Sequence, residues 1–149
     1  MRVLLQRVNR AKVSVDGKDI AAIDRGLLLL VGIGRDDSGD DITIMANKVS
    51  KLRVFEDAEG KMNLDLTQAH GAVLSVPQFT LYADTRKGNR PGFDASAAPD
   101  IAKMAWKGFN EAIRKNGIAV CEGEFGAHME VELTNDGPVT IWLDSKEKL

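Results

Sequence analysis

The run Leu27–Val31 is apolar at every position and has the length of a single β-strand. A strand with one solvated face would alternate apolar and polar residues, so this run predicts a strand buried on both faces. Gly26 precedes the run, and further upstream an alternating segment ends at Asp16-Gly17, a dipeptide favoured in two-residue hairpin turns. The fold must therefore cover this strand on two sides, next to at least one antiparallel hairpin.

Two helices are predicted from apolar residues spaced three and four positions apart. The first runs from Asp37 to about Phe55, with Asp36, Asp37 and Ser38 as capping candidates. The second runs from about Pro99 to Asn116 and ends at Gly117. The residues expected on their apolar faces are Ile42, Met45, Val49 and Leu52 in the first, and Ile101, Met104, Ala105, Phe109, Ala112 and Ile113 in the second.

The remaining segments with strand character outnumber these helices, and most are spaced as hairpins. Strands are predicted at residues 1–8 and about 11–34 (three or four strands), then near 64–66, 71–76, 79–83, 118–122, 129–134 and 138–143. This pattern predicts an α+β fold, in which a largely antiparallel β-sheet or barrel is covered by two main helices. With 149 residues, 44% hydrophobic and 28% charged, residues 1–149 are expected to form a single domain.

Bulk properties narrow the function classes. No apolar run approaches the length of about 20 residues that spans a bilayer, and the amino-terminal segment lacks a signal-peptide cleavage site, so no membrane association is expected. Cys121 is the only cysteine, which suits a reducing, cytoplasmic location and a small core residue. The net charge of −2 argues against broad nucleic-acid binding, yet Arg86, Lys87 and Arg90 concentrate positive charge locally. That segment is either a solvated loop or a contact with a phosphate backbone.

Common catalytic patterns are missing from the sequence. Gly32-Ile33-Gly34 lacks the spacing of a dinucleotide-binding loop, and no Walker lysine follows any glycine-rich stretch. His70 and His128 lie far apart and near no paired carboxylates or cysteines, so neither a metal site nor a cofactor is expected. Thr80 remains a candidate nucleophile, but no base accompanies it in sequence, and an ordinary β-branched strand residue is an equally simple interpretation.

Two short segments stand apart from this background: Leu74–Asp84 and Thr134–Thr140. The second contains Gly137-Pro138 at the head of an alternating strand. Glycine permits positive φ, and proline fixes its own φ and removes an N–H donor, so this pair presents carbonyl oxygens in a rigid shape. The pattern alone favours an ordinary turn, and a recognition element is the alternative.

At these residues the chain resembles the D-aminoacyl-tRNA deacylase family, editing enzymes that release D-amino acids mischarged onto tRNA. The similarity covers nearly the whole length. Its specific segments are Leu5-Gln-Arg-Val8, Arg53–Asn63, Gln78-Phe-Thr-Leu81, Gly88-Asn-Arg-Pro91 and Asn135–Thr140.

The resemblance implies a homodimer in which a cis Gly137-Pro138 bond reaches into the partner's active site. There the carbonyl oxygens of both residues would hold the substrate's α-amino group and leave no room for an L side chain. Glycyl-tRNA would then enter as well, because glycine has no side chain to clash. Arg7 and Met129 match positions that brace the cis geometry in the family.

For catalysis, the resemblance points to Gln78, Phe79 and Thr80, with help from the 2′-hydroxyl of the terminal adenosine. The aminoacyl ester is already activated, so its hydrolysis needs a positioned water or hydroxyl and donors facing the oxyanion more than a protein nucleophile. The backbone N–H groups near Phe79 and Thr80 could be those donors, with Gln78 orienting the site. Thr80 would then position groups.

Pro77 departs from the family pattern, which usually has serine at this position. Proline there resembles the related animal deacylases, whose Gly-Pro bond is trans and whose exclusion of L-amino acids is relaxed. The rest of the chain resembles the strict D-selective type. Three alternatives accordingly stand beside a D-selective editing hydrolase that acts on the tRNA 3′ end: a relaxed-specificity deacylase, a noncatalytic module that binds that end, and a hydrolase of small esters or amides.

Overall fold

The computed structural model describes residues 1–147. It has two α-helices, α1 (Gly39–Lys51) and α2 (Pro99–Lys115), and one short 3₁₀ helix, Phe79–Tyr82. The strands are β1 (Arg2–Val15), β2 (Lys18–Ile23), β3 (Gly26–Gly32), β4 (Phe55–Glu56), β5 (Met62–Leu64), β6 (Ala72–Pro77), β7 (Val120–Glu122) and β8 (Glu130–Asp144).

The main sheet is built around β1, which pairs antiparallel with β2, β3 and β8. The sheet then continues from β3 to β6 and from β6 to β7 through parallel pairs. Parallel neighbours require long crossover connections, and the segments that contain α1 and α2 supply them. Strands β4 and β5 form a separate small hairpin. The α+β class with a mostly antiparallel, nearly barrel-shaped sheet is confirmed, with a parallel region added.

Strand β1 changes partners along its length, so that β1, β2, β3 and β6 surround a second core. Its first half pairs with β3 and its second half with β2, while its pairing with β8 shifts register between Gln6 and Arg10. One face of β3 packs through Leu27 and Leu29 into the cluster that includes both helices. The opposite face packs through Leu28 into a cluster formed by β1, β2 and β6. The predicted burial of β3 on both faces is confirmed.

Strands β3 and β6 approach each other closely at their first residues. A Cβ atom built on Gly26 would lie 1.8 Å from the carbonyl oxygen of Ala72. No larger residue fits there without moving the backbone of one strand, so Gly26 is required by packing. By contrast, nothing lies within 4 Å of a Cβ atom built on Gly39, the first residue of α1.

A capping box begins helix α1, directly after the acidic residues Asp36 and Asp37. Ser38 is the N-cap, and its hydroxyl and backbone bond reciprocally with Asp41. Asp41 also accepts hydrogen bonds from Ser145 and from the ammonium group of Lys146, which ties the segment after β8 to this helix. Burial raises the pKa of Asp41, but these hydrogen bonds outweigh it and hold that pKa well below its ordinary value. The prediction that this helix reaches Phe55 is wrong, because the backbone is already extended at Leu52.

Helix α2 begins at Pro99 as predicted, and Gly117 follows its end with φ of 82°. The predicted apolar face is partly wrong. Ile101 and Met104 are 57% and 72% exposed. The buried face of α2 also contains a tryptophan and an asparagine. It is formed by Ala102, Trp106, Phe109, Asn110 and Ile113.

Four strand predictions also need correction. Residues 79–83 are not a strand, because i to i+3 backbone bonds from Leu81 to Gln78 and from Ala83 to Thr80 turn this segment into the 3₁₀ helix. The strand predicted at 64–66 lies at Met62–Leu64. The segment predicted at 1–8 and the first part of the segment predicted at 11–34 form one continuous strand, β1, which ends at Val15. The two segments predicted at 129–134 and 138–143 likewise form the single strand β8.

Neither helix, within residues 1–147, has the length and apolar character needed to cross a membrane.

Candidate active site

A cleft of about 780 Å³ opens at the carboxyl ends of the parallel strands β3 and β6. Its strand side comes from Val31, Ile33 and the segment Val76–Phe79. The opposite walls come from the first half of α2 with the loop before it, and from residues 125–129, which lead into β8. The predicted catalytic residues Gln78 and Phe79 therefore line this cleft.

The segment that follows β6 is held in a sharp turn. The backbone N–H of Gln78 donates to the carbonyl oxygen of Val31, at 2.7 Å, which anchors the end of β6 to β3. Phe79 and Thr80 then begin the 3₁₀ helix, which has no side-chain cap. The first N–H groups of a helix have no partner within it, so these backbone donors are available to a ligand.

The hydroxyl group of Thr80 is held by its neighbour. The side-chain amide of Gln78 donates a hydrogen bond to Thr80 Oγ1. The threonine hydroxyl accepts this bond, so its own proton remains free to be donated. Among residues 1–147, no imidazole or carboxylate hydrogen-bonds to Thr80, which is what activation as a nucleophile would require. The geometry suits a hydrogen-bond donor more than a nucleophile.

Trp106 fixes α2 against the strand that carries this segment. Its Nε1–H donates to Ser75 Oγ at 2.8 Å, and both side chains are buried. The carbonyl oxygen of Ser75 accepts a bond from the N–H of Gly123 at 2.9 Å. Sequence reasoning missed both residues; the spacing of Trp106 from Phe109 and Ile113 was the signal that could have placed the tryptophan on the buried face of α2.

Gly137 and Pro138 lie on β8, outside the cleft of their own chain. The peptide bond between them is cis, and Gly137 has φ of 139°. The side chain of Asn135 spans the segment: its Oδ1 accepts from Val139 N–H at 2.7 Å, and its Nδ2 donates to the carbonyl oxygen of Val139 at 3.2 Å. These bonds bring the chain on either side of the Gly-Pro pair together.

Arg7 supports the same segment from β1. This arginine is only 3% exposed. Its Nε donates to the carbonyl oxygen of Asp136 at 2.9 Å, and its Nη1 donates to the carbonyl oxygen of Val54 at 2.6 Å. Its guanidinium also pairs with the Asp136 carboxylate, at 3.2 Å. The buried guanidinium of Arg7 thus links β1 to Val54, which lies between α1 and β4, and to Asp136, the residue before Gly137.

Met129 lies elsewhere in the chain. It lines the cleft, and its sulfur accepts a hydrogen bond from the N–H of Glu124. Glu130, next to Met129, pairs with Ser14 of β1, whereas the segment around Gly137 is held by Arg7; these two positions on β1 are roughly 23 Å apart. The structure therefore groups Gln78, Phe79 and Met129 at one place and Arg7 with the Gly-Pro pair at another.

The basic loop after the 3₁₀ helix is not uniformly available for ligands. Arg86 forms two hydrogen bonds with the carboxylate of Asp84, at 2.9 and 2.7 Å. These bonds from the guanidinium hold the pKa of Asp84 well below its usual range. Lys87 and Arg90 are exposed. Arg86 thus shapes the loop, and Lys87 and Arg90 are the stronger candidates for contact with RNA.

Residues 1–147 contain no cluster of three or more histidine, cysteine or carboxylate side chains arranged to hold a metal ion.

The pKa of Tyr82 is raised, first by burial and then by the nearby carboxylates of Asp37 and Asp144. Tyr82, the last residue of the 3₁₀ helix, therefore stays neutral; its hydroxyl donates to Asp37 Oδ2 at 3.4 Å and its ring lies against the Arg2 guanidinium.

Comparison with known proteins gives a consistent result. A family model described as D-Tyr-tRNA(Tyr) deacylase matches residues 4–144. A D-aminoacyl-tRNA deacylase from Thermosipho africanus (strain TCF52B) is 52% identical over 147 residues, covering 99% of each chain. The proteins of the same name from Geobacillus sp. (strain WCH70) and Thermus aquaticus are each 53% identical over 148 residues, covering 99% of this chain and 97% of theirs.

Two solved structures share the fold over almost the entire chain. One, titled c-Myc DNA Unwinding Element Binding Protein, is 39% identical with a TM-score of 0.93 and covers 99% of this chain and 100% of that one. The other, titled as a probable eukaryotic D-amino acid tRNA deacylase, is 19% identical with a TM-score of 0.77 and covers 95% and 97% of the two chains. At 19% identity this second likeness shows the fold alone.

Proposed function

The chain belongs to the D-Tyr-tRNA(Tyr) deacylase family, and we propose that it hydrolyses the ester bond of D-aminoacyl-tRNA to release the free D-amino acid and tRNA. The observation that carries the proposal is the cleft at the end of β6. Gln78 and Phe79 line it, and Thr80 follows them in the 3₁₀ helix, so these residues offer backbone and side-chain donors without an activated nucleophile. An aminoacyl ester needs a positioned water or hydroxyl and a stabilised oxyanion, and these donors suit that task.

In this proposal the oxyanion lies against the first N–H groups of the 3₁₀ helix. Those of Phe79 and Thr80 have no side-chain cap competing for them. Gln78 holds the hydroxyl of Thr80, whose remaining hydrogen is free to orient a substrate oxygen. The 2′-hydroxyl of the terminal ribose then assists the attack of water, and neither a metal nor a cofactor takes part.

Chirality is selected by the Gly-Pro segment of a second subunit. Gly137 and Pro138 do not line the cleft of their own chain, so a homodimer is needed to bring their carbonyl oxygens to a neighbouring cleft. There the two oxygens bind the α-amino group and exclude an L side chain, while glycyl-tRNA is admitted. Arg7 and Asn135 hold this segment in place through the hydrogen bonds described above. A tRNA substrate also places the reaction in the cytoplasm.

The experiment compares D-tyrosyl-, glycyl- and L-tyrosyl-tRNA with a substoichiometric amount of the protein. We expect many turnovers with the first two substrates and release of L-tyrosine near the uncatalysed rate. Rapid hydrolysis of L-tyrosyl-tRNA would indicate a relaxed-specificity deacylase. Stoichiometric retention of charged tRNA without release would show a noncatalytic binding module, and equal cleavage of a free D-tyrosine ester would show a general esterase.

Thr80 separates two versions of the mechanism. If the hydroxyl only positions the substrate, Thr80→Ser should retain most activity, and Thr80→Val should lower kcat by roughly 10- to 100-fold, the range for loss of one or two hydrogen bonds made in the transition state. Complete loss of turnover in Thr80→Val, with unchanged substrate binding and folding, would assign Thr80 a direct chemical role.

A further inference from the structure

Two aromatic rings meet at the rim of the cleft and belong to neither core cluster. The ring centroids of Phe79 and Phe93 lie 4.9 Å apart in an edge-to-face arrangement. Phe79 is 56% exposed, although both residues line the cleft. Burying an aromatic side chain is strongly favourable, so a ring left this exposed beside a functional cleft calls for a ligand that covers it.

Phe93 is held by a rigid frame. The residue before it, Gly92, forms two backbone hydrogen bonds with Asp84, at 2.8 and 2.9 Å. On the other side, the carbonyl oxygen of Phe93 accepts from Ser96, which forms a β-bridge with Gly34 at the end of β3. Binding would therefore not need to order the backbone that carries this ring, which lowers the entropy cost of the contact.

Positive charge lies on the loop that connects the two rings. The bridge between Asp84 and Gly92 closes residues 85–91 into a loop that carries Lys87 and Arg90, both exposed. Single-stranded nucleic acids are bound by this combination, in which basic groups follow the phosphates and aromatic rings stack on the bases.

We infer that Phe79 and Phe93 form a stacking site for the base of the nucleotide that precedes the terminal adenosine, with Lys87 and Arg90 near its phosphate. This inference rests on the proposed function and extends it, because it gives the enzyme a grip on RNA beyond the nucleotide that carries the ester. It also explains how a chain with a net charge of −2 can hold an RNA end without a broad basic surface.

The test uses three D-tyrosyl esters. The first is the ester of adenosine, the second that of the dinucleotide cytidylyl-adenosine, and the third that of the same dinucleotide without the base on its first ribose. For the wild type, the intact dinucleotide ester should have a KM roughly 10-fold below that of the other two, as expected for one base–aromatic stack. Phe93→Ala should bring the ratio of KM between the abasic and the intact dinucleotide esters close to one, whatever its effect on the adenosine ester. Phe93→Tyr should keep the advantage of the intact dinucleotide ester, and Ile44→Ala, an exposed apolar residue on α1, is the matched control.

Binding of the uncharged dinucleotide, measured by calorimetry against its abasic counterpart, gives a readout independent of hydrolysis. If no ester is hydrolysed but wild type binds the intact dinucleotide better than Phe93→Ala does, the proposed function fails and the stacking site stands. The stacking site is overturned if Phe93→Ala weakens adenosine and dinucleotide esters equally, or if it shifts the monomer–dimer equilibrium while leaving dinucleotide binding unchanged. The same holds if all three esters have equal KM in the wild type.

Discussion

Arg7 offers the sharpest test of how the Gly-Pro segment is supported. Its guanidinium is almost fully buried and donates to two backbone carbonyls, those of Val54 and Asp136. A lysine at this position keeps the charge but cannot direct donors at both carbonyls from one rigid plane. A methionine keeps much of the volume and leaves both carbonyls and the Asp136 carboxylate without their partner.

The expected loss of stability follows from these contacts. Hydrogen bonds from a charged group contribute about 1.5–3 kcal/mol each, and Arg7 makes two of them to backbone carbonyls; its pairing with the Asp136 carboxylate, which is 38% exposed, adds little. Arg7→Lys should therefore lower the free energy of unfolding by about 2–4 kcal/mol, and Arg7→Met by about 3–5 kcal/mol. A domain of this size has only about 5–15 kcal/mol in total, so both changes are readily measured.

The assay is urea denaturation at one fixed protein concentration, followed by tryptophan fluorescence, in which the buried Trp106 should change more than the half-exposed Trp142. Arg10→Lys is the matched control, because Arg10 lies on the same strand but is exposed, and within residues 1–147 its side chain donates only to the hydroxyl of Thr134, at 3.3 Å. That control should change stability by less than about 0.5 kcal/mol. Equal urea midpoints for Arg7→Lys and Arg10→Lys would refute the reasoning, since the two substitutions differ only in the burial and bonding they remove.

Other substitutions test the rest of the structure. Gly26→Ala should prevent recovery of folded protein, whereas Gly39→Ala, in the open first turn of α1, should raise the melting temperature slightly; a folded Gly26→Ala protein would contradict the close strand contact. Asp41 has a lowered pKa, so its stabilising effect is complete above pH of about 4 and fades below it. The difference in urea midpoint between wild type and Asp41→Asn should therefore narrow below pH of about 4. A difference that stays constant with pH would argue against the ion pair between Asp41 and Lys146. Ser75→Ala leaves the indole N–H of Trp106 unpaired and should cost about 1–3 kcal/mol by thermal or urea unfolding, with no change expected if the bond is absent.

The sequence was sufficient to predict the fold where periodicity acts locally. The run Leu27–Val31 predicted burial on both faces, and the hairpin turn at Asp16-Gly17 is present with positive φ at both residues. The parallel pairing of β3, β6 and β7 could not be predicted, because a strand's own pattern does not reveal the direction of its neighbour.

The site was harder to predict for a similar reason. Residues 79–83 alternate as a strand does, yet i to i+3 backbone bonds from Leu81 to Gln78 and from Ala83 to Thr80 turn them into a helical segment. Phe93 and Trp106 join the cleft through contacts distant in sequence, and no local signal marks Phe93 as part of the site. The resemblance to the family identified Gln78–Thr80 and Gly137-Pro138, but it gave no indication that Arg86 is occupied by Asp84.

The pairing of β1 with β8 has a consequence for how the chain folds as it is made. Arg2 lies opposite Asp144, so the most amino-terminal strand is completed only by the most carboxyl-terminal one. At about 5–20 residues per second, synthesis leaves one edge of β1 without its partner for roughly 7 to 28 seconds. Contacts of such long sequence separation also slow folding after synthesis. During synthesis the unpaired edge of β1 is therefore exposed to incorrect pairing with other strands. Slower translation should lengthen the time for which this edge is exposed.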